Sequence, residues 1–254
     1  MKKHVGSALI LAVLLALVFG LLCNAEAETI TSGNLKYELD ENGNATLTGY
    51  VEKPTGELVI PAEVEGHLVT ALGTKVFSSC TGLTSIEIPD SVTIIGAEAF
   101  HSCTGLTSVE LPSGLTSIDV RTFYGCVGLK NIAIPSGVTS IGSSAFSRCT
   151  GLSGIELPSG VTSIGDGVFS GCWGLKSVVL PLGVTNIGNS AFSGCTQLMS
   201  IEIPSSVTSI GDSVFYGCGD LRSIELPARV TSVGYGTFSG CTGLTSIEFP
   251  SSVT

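Results

Sequence analysis

A repeat of 23 residues is the feature that most constrains how this chain can fold. One unit runs from Pro135 to Leu157, PSGVTSIGSSAFSRCTGLSGIEL, and it recurs without insertion or deletion from Pro89 to the end of the sequence. A degenerate copy with Phe77, Cys80 and Leu83 precedes the regular ones. A fixed period of 20–50 residues is typical of a solenoid, in which each unit packs only against its neighbours. The sequence therefore predicts a one-dimensional stack of about eight coils.

The conserved spacing within each unit predicts its local structure. If the proline is position 1, the seven complete copies all have Phe at position 12, Cys at position 15 and Leu at position 18. Positions 21 and 23 are apolar around a polar residue, which predicts a short strand that the next proline ends. Positions 4 to 8 predict a second, shorter extended piece, where a glycine (Asp119 in one copy) allows a change of direction. The Ala-Phe-x-x-Cys segment predicts a helical or 3₁₀ turn.

The pattern LxxIxIPxxVTxIGxxAFxxC resembles the BspA-like class of leucine-rich repeats over roughly residues 58–254. That resemblance implies an arc-shaped solenoid on a secreted or surface protein with a role in adhesion, and the family has no catalytic residues to transfer. The predicted fold class is thus a repeat solenoid, a β-rich right-handed leucine-rich-repeat arc with short strands and short helical turns. About eight coils occupy residues 58–254, and the last of them is incomplete.

The residues before the repeat divide into two segments. Lys2, Lys3 and His4 precede an apolar stretch of 15 residues and the small-residue site Ala25-Glu26-Ala27, which predicts a signal peptide over residues 1–27. The stretch is shorter than the ~20 residues of a membrane span, so no transmembrane segment is expected after cleavage. Residues 28–57 contain two short β patterns around an Asn-Gly turn and predict a β-hairpin that caps the first coil. A five-residue insertion around residues 63–68 follows in the first coil.

Charge and residue types exclude several classes of function. Without residues 1–27 the chain has nine basic and 20 acidic residues, a formal net charge of −11. Nucleic acid is therefore an unsuitable partner, since phosphate binding needs a basic patch. His67 and His101 have no equivalents in other coils and are interpreted as exposed loop residues, and the serines occupy turns without a partnered base. We expect a protein that is not an enzyme and has no cofactor.

The eight periodic cysteines allow two interpretations. Cysteine-rich secreted chains commonly form disulfides, and stacked coils place neighbouring Cα atoms about 4.8 Å apart. Stacked side chains run parallel, however, and do not converge as a disulfide requires. Buried free thiols are the favoured interpretation, with disulfides between adjacent coils as the alternative.

Position 22 supplies the candidate ligand-binding residues, because it lies between two inward positions and should project from the sheet. Most of its occupants are acidic, and Ala133 and Val179 interrupt the row. The candidate strip consists of Glu87, Glu110, Glu156, Glu202, Glu225 and Glu248. It is either a solvated polar surface or a site for Ca²⁺ or a basic ligand. The uninterrupted row from Glu202 to Glu248 places that site at the C-terminal end, where residues 245–249 are expected to form an unpaired edge strand.

These observations favour a secreted or cell-surface, non-enzymatic module that binds proteins, such as host or matrix proteins or the surface of neighbouring cells. The alternative is a passive spacer, or a fragment of a longer surface protein, that presents another domain. The end of the sequence five residues into a unit, at Val253-Thr254, favours a fragment.

Overall fold

The computed structural model describes residues 28–253 and begins with a small antiparallel sheet. Its strands are β1 (Thr29–Ser32), β2 (Leu35–Leu39) and β3 (Ala45–Tyr50). β2 and β3 form the predicted hairpin around the Asn-Gly turn, and β1 adds a third strand that pairs antiparallel with β2. The cap continues into the solenoid because β3 pairs in parallel with the first coil. The inner faces of these strands bury Tyr37, Ala45 and Leu47 over the first coil.

The first coil contains β4 (Gly56–Val59), β5 (Glu63–Val64) and β6 (His67–Leu72). Its strand β4 begins two residues before the expected boundary at residue 58. The five-residue insertion forms a tight hairpin in which Val64 pairs with His67. Glu65 and Gly66 connect its strands with φ of 50° and 86°, as a two-residue primed turn requires. The insertion therefore extends a strand of the stack and does not disturb the register of the following coils.

The remaining coils build two parallel ladders, one on each side of the proline turn. Strands that end before the proline are β7 (Leu83–Glu87), β9 (Ser108–Glu110), β12 (Gly154–Glu156) and β14 (Ser177–Val179). Strands that follow the turn are β8 (Ile94–Ile95), β10 (Ser117–Ile118), β11 (Ser140–Ile141), β13 (Ser163–Ile164), β15 (Asn186–Ile187), β16 (Ser209–Ile210) and β17 (Ser232–Val233). Paired residues differ by 23 positions, as in Ser85 with Ser108 and Ser117 with Ser140. The sequence period thus equals one full turn of the solenoid.

A stack of phenylalanine rings forms the axis of the core. The eight rings from Phe77 to Phe238 lie with neighbouring centroids 5.4–5.7 Å apart and planes within 20° of parallel. Seven of them, up to Phe215, have no exposed surface. Offset stacking of this kind adds to the burial of each ring, so every coil stabilises both of its neighbours.

The expected helical or 3₁₀ turn at Ala-Phe-x-x-Cys is wrong, because the segment is a run of tight turns. The amides of Ala99 and Cys103 donate within the coil, to Gly96 and Phe100, whereas the amide of Phe100 donates to Thr122 of the next coil. Ser102 has a positive φ of 57°, which a helix does not allow. Every second N–H is therefore directed to the neighbouring coil, and this direction ties the coils together.

Close approach between coils explains the glycine at position 8. None of these glycines has a positive φ. A Cβ atom on Gly142 would lie 2.5 Å from the backbone nitrogen of Val120 in the preceding coil. The sequence interpretation attributed this glycine to a change of chain direction, whereas the structure shows that the space between coils requires it in every regular coil that has it except at Gly165, where a Cβ would lie 3.4 Å from its nearest neighbour.

Candidate functional site

The candidate strip projects outward as the sequence pattern predicted. Glu156 is exposed between Ile155 and Leu157, which are both buried. Glu87 and Glu110 are direct register partners in neighbouring strands. All six candidate glutamates are exposed, and none forms an ion pair within residues 28–253. The strip is therefore an array of uncompensated carboxylates on one face.

The C-terminal part of the strip differs from its N-terminal part. Glu202, Glu225 and Glu248 lie outside the assigned strands, and a single bridge between Ser200 and Ser223 connects two of their coils. The expected edge strand at residues 245–249 is wrong, because this segment is not a strand. A strand is held against the stack by its buried side chains. Because Leu244 and Ile247 are only partly buried at this end, the segment is held less firmly. The row has the expected order but a less regular backbone beneath it.

The described part of the chain, residues 28–253, contains no group of three or more His, Cys, Asp or Glu side chains placed to hold a metal ion. Carboxylates that project in parallel from separate coils do not converge as the 6–8 oxygen ligands of Ca²⁺ must. Calcium binding on the strip therefore remains a sequence prediction and does not enter the proposed function.

Surface grooves lie along the outward face, both on the uninterrupted row from Glu202 to Glu248 and at the interruptions of the strip, which the sequence interpretation treated only as gaps. Val59 lies in one groove beside Glu57 and Glu87. A second groove contains Ala133, and a third, with a volume of about 620 Å³, contains Val179 between Glu156 and Glu202. The internal alignment of the repeats contained this signal, because apolar residues replace glutamate at these places. The outward face therefore has apolar grooves at these places as well as carboxylates along the row.

Both histidines have structural partners and are half-buried, so their interpretation as exposed loop residues is wrong. His67 Nδ1 lies 2.8 Å from the carbonyl oxygen of Gly43 and ties the insertion to the cap. The His101 ring stacks on Tyr124 with centroids 4.9 Å apart, and the guanidinium of Arg148 lies 5.8 Å from the centre of the same tyrosine ring. Their place in the sequence gave no sign of these contacts because the partners belong to other segments of the chain.

The eight cysteines of the ladder are free and buried, as the thiol interpretation expects. Each thiol from Cys103 to Cys241 donates a hydrogen bond to the phenylalanine carbonyl of the preceding coil, at 3.0–3.2 Å. Burial raises the pKa of Cys103, Cys172 and Cys218 to about 12 and that of Cys126, Cys149 and Cys195 well above its ordinary value. A protonated, enclosed thiol is a poor nucleophile, so the ladder has a structural role.

No helix within residues 28–253 has the length and apolarity that a bilayer span needs. The two strand ladders, the phenylalanine stack and the exposed strip together define a leucine-rich-repeat solenoid with one outward carboxylate face. Comparison with known proteins gives the same class. The model of the BspA type leucine-rich repeat region matches residues 70–198 and 167–254, with six copies. The chain belongs to this family.

Several solved structures share the fold. A leucine-rich repeat protein from Bacteroides ovatus is 33% identical with a TM-score of 0.84, and the alignment covers 89% of this chain and 60% of that protein. The T. pallidum leucine-rich repeat protein is 32% identical with a TM-score of 0.67, covering 85% and 91% of the two chains. A leucine rich cell surface protein from Faecalibacterium prausnitzii is 28% identical with a TM-score of 0.63, covering 91% and 85%. No curated protein matches the chain.

Proposed function

We propose that this chain is a secreted or cell-surface, non-enzymatic module that binds proteins and acts in adhesion. The observation that carries the proposal is the outward face at position 22, where six exposed glutamates have no ion-pair partners in the described residues and where Ala133 and Val179, which interrupt the row, each line a surface groove. The similar protein from Faecalibacterium prausnitzii is called a cell surface protein, which supports the same location for this chain.

The physical properties of the stack suit such a role. Its strands and turns are fixed by the coils on either side, so little conformational entropy is lost when a partner binds. A row of like charges attracts a basic partner over a distance and orients it before contact. Partners are therefore expected among host or matrix proteins, or on neighbouring cells, that present basic surfaces.

Surface plasmon resonance with immobilised chain 28–254 and purified matrix proteins such as fibronectin, laminin and collagen tests the proposal. We expect saturable binding that weakens as salt increases and is lost when all six candidate glutamates are replaced by glutamine. The matched control replaces six exposed acidic residues away from the strip by their amides: Glu38, Glu41, Glu52, Glu63, Glu65 and Asp220. The control has the same net charge as the strip variant and should bind like the unmodified chain.

Equal loss of binding in both variants would show that net charge, and not the position of the strip, causes the binding. The absence of saturable binding to any of the matrix proteins would favour the spacer role.

Location is tested separately by N-terminal sequencing of the protein recovered outside the cells. The predicted signal peptide, residues 1–27, lies outside the residues that the structure describes. Cleavage after Ala27 gives a product that begins at Glu28, and recovery of a chain that begins at Met1 would contradict secretion by this route.

A further inference from the structure

The groove of about 620 Å³ that contains Val179 lies across three coils, at the junction of the outward strip and the proline turns. Val178, Val179 and Leu180 form its floor with Pro181, and Leu182 borders it. A second groove of about 290 Å³ shares Leu182, Glu202 and Pro204 with it and continues towards Glu225. The two grooves therefore form one elongated depression in the face.

Two departures from the repeat distinguish the lining of this groove from that of the other grooves on the face. Position 22 is Val179 where six other coils have glutamate, and position 2 is Leu182 where the other coils have Asp, Ser or Ala. The two side chains are 55% and 82% exposed. Both departures occur within one turn of the chain and line the same depression. Exposed aliphatic surface of this kind is unfavourable in water, so contact with an apolar group that covers it is favourable.

The backbone pairing also stops at this point. β14 pairs with β12 on one side, with Val179 opposite Glu156. In the described part of the chain no strand pairs with the other side of β14, although the next coil lies there. The groove follows this break, since its lining passes from Val179 to Glu202 and Pro204.

Carboxylates flank the apolar floor on both sides. Glu156 lies in the coil before Val179 and Glu202 in the coil after it. The ion pairs of residues 28–253 are instead at the turn edge, where Glu98 contacts Lys75 and Arg121. An apolar floor between two free carboxylates is complementary to an apolar side chain between two positive charges.

We propose that this groove docks an extended peptide segment of a partner protein in which an apolar side chain lies between two basic ones. The proposal rests on the proposed function, and it names the surface and the chemistry of the partner. The apolar side chain packs between Val179 and Leu182, and the flanking lysine or arginine side chains contact Glu156 and Glu202.

The spacing of the coils fits such a segment. Glu156 and Glu202 are two coils apart, which corresponds to about 10 Å at about 4.8 Å per coil. Residues on one face of an extended peptide recur every 7 Å or so, so basic residues two positions before and after the apolar one are about 14 Å apart. Lysine side chains are long enough to lean inwards over this difference, so the order basic, spacer, apolar, spacer, basic fits the groove.

Methyl NMR spectroscopy of the chain 28–254 tests the proposal with the capped peptide Gly-Lys-Ser-Leu-Ser-Lys-Gly. Titration should shift the methyl signals of Val179, Leu180 and Leu182 before those of the other coils. A peptide with the central leucine changed to serine, and one with both lysines changed to glutamate, should each bind at least tenfold more weakly.

Variants that restore the repeat provide the decisive comparison. Val179→Glu combined with Leu182→Ser gives this coil the residues that other coils already contain, so the fold is retained, and we expect at least tenfold weaker peptide binding. Val59→Glu introduces the same substitution at the aligned end of the strip, where Val59 is opposite Glu87, and should leave binding unchanged. Glu156→Gln with Glu202→Gln should weaken binding about fivefold and remove most of its salt dependence.

Equal losses in the Val59→Glu variant and in the groove variant would overturn the proposal, as would the absence of methyl shifts at Val179 and Leu182.

The proposed function and the groove proposal can be contradicted independently of each other. Matrix binding that survives in the Val179→Glu, Leu182→Ser variant leaves the proposed function in place and rejects this groove as its site. Peptide docking without any matrix binding rejects the adhesion role and keeps the groove.

Discussion

The inward columns of the stack at positions 12 and 15 have the same residue in every regular coil, whereas the outward column at position 22 varies. Phe and Cys occupy every inward position 12 and 15 of the regular coils. The rings stack on the rings of the coils before and after, and each thiol donates a hydrogen bond to a phenylalanine carbonyl of the preceding coil. The outward column contains glutamate, alanine and valine, and none of its glutamates has an ion-pair partner in the described chain. Uniformity is thus a property of positions that stack on themselves, and recognition is to be sought where the outward sequence departs from the repeat.

The largest expected effect is the loss of stability at alkaline pH, which comes from the buried thiols of the inward column. The folded protein holds the six interior thiols from Cys103 to Cys218 with a pKa raised by burial, to about 12 in three of them. Their stabilising effect is complete below the unfolded pKa of about 8.5 and is lost as pH rises towards the folded value. A thiol that loses its proton in the unfolded chain but not in the folded one costs at most about 1 kcal/mol per pH unit, so the six together lower the free energy of unfolding by several kcal/mol per unit.

Urea unfolding between pH 8 and pH 11, under reducing conditions, measures this slope. The variant Cys149→Ala with Cys172→Ala removes two of the six interior thiols and should reduce the slope by about a third, whatever its absolute stability. A slope that the double variant leaves unchanged would show that these thiols do not titrate on unfolding.

Removal of one central ring is the next largest perturbation. Phe169 is fully buried and stacks on Phe146 and Phe192, so Phe169→Ala should lower the free energy of unfolding by about 3–5 kcal/mol. Phe249 is half exposed at the end of the stack and meets Phe238 edge-on. Phe249→Ala should therefore cost less than about 1 kcal/mol. Similar losses in the two variants would contradict the assignment of the core to the ring stack.

Two glycines at the same repeat position separate the effect of coil spacing from that of backbone flexibility. A Cβ on Gly142 would lie 2.5 Å from the Val120 nitrogen, whereas one on Gly165 would lie 3.4 Å from its nearest neighbour, the carbonyl oxygen of Ile141. We expect Gly142→Ala to cost about 2 kcal/mol through overpacking and Gly165→Ala to be close to neutral. Thermal unfolding of the two variants, compared with the unmodified chain, measures the difference. Equal destabilisation would indicate that the backbone, and not the space, requires glycine.

Substitutions in the outward column at position 22 should change the free energy of unfolding least. Two unit charges at about 4.8 Å in water repel by roughly 0.9 kcal/mol, and exposed side chains can turn away from each other. Replacement of Glu202, Glu225 and Glu248 by glutamine should thus stabilise the fold by less than about 1 kcal/mol, with the gain vanishing at high salt. Urea unfolding at low and high salt measures it, and a loss of several kcal/mol would place these glutamates in the structural framework.

The sequence alone determined the architecture of this protein. A period of 23 residues without insertions requires every coil to have the same path, and invariant Phe, Cys and Leu then have to meet their own copies. The alternation around Glu156 likewise determined which side chains face outward, because neighbouring strand residues point to opposite faces. These features depend on local pattern and repetition, which are visible in one dimension.

The tertiary structure decided what depends on contacts between coils. The turns at Phe100 replaced the predicted helical turn because alternate amides find partners in the next coil, and a neighbouring backbone explains the glycine at position 142. His67 and His101 acquired partners from distant segments. The groove at Val179 and Leu182 likewise exists only when three coils are stacked, since residues 156, 179 and 202 form one surface in space and are separate in the sequence.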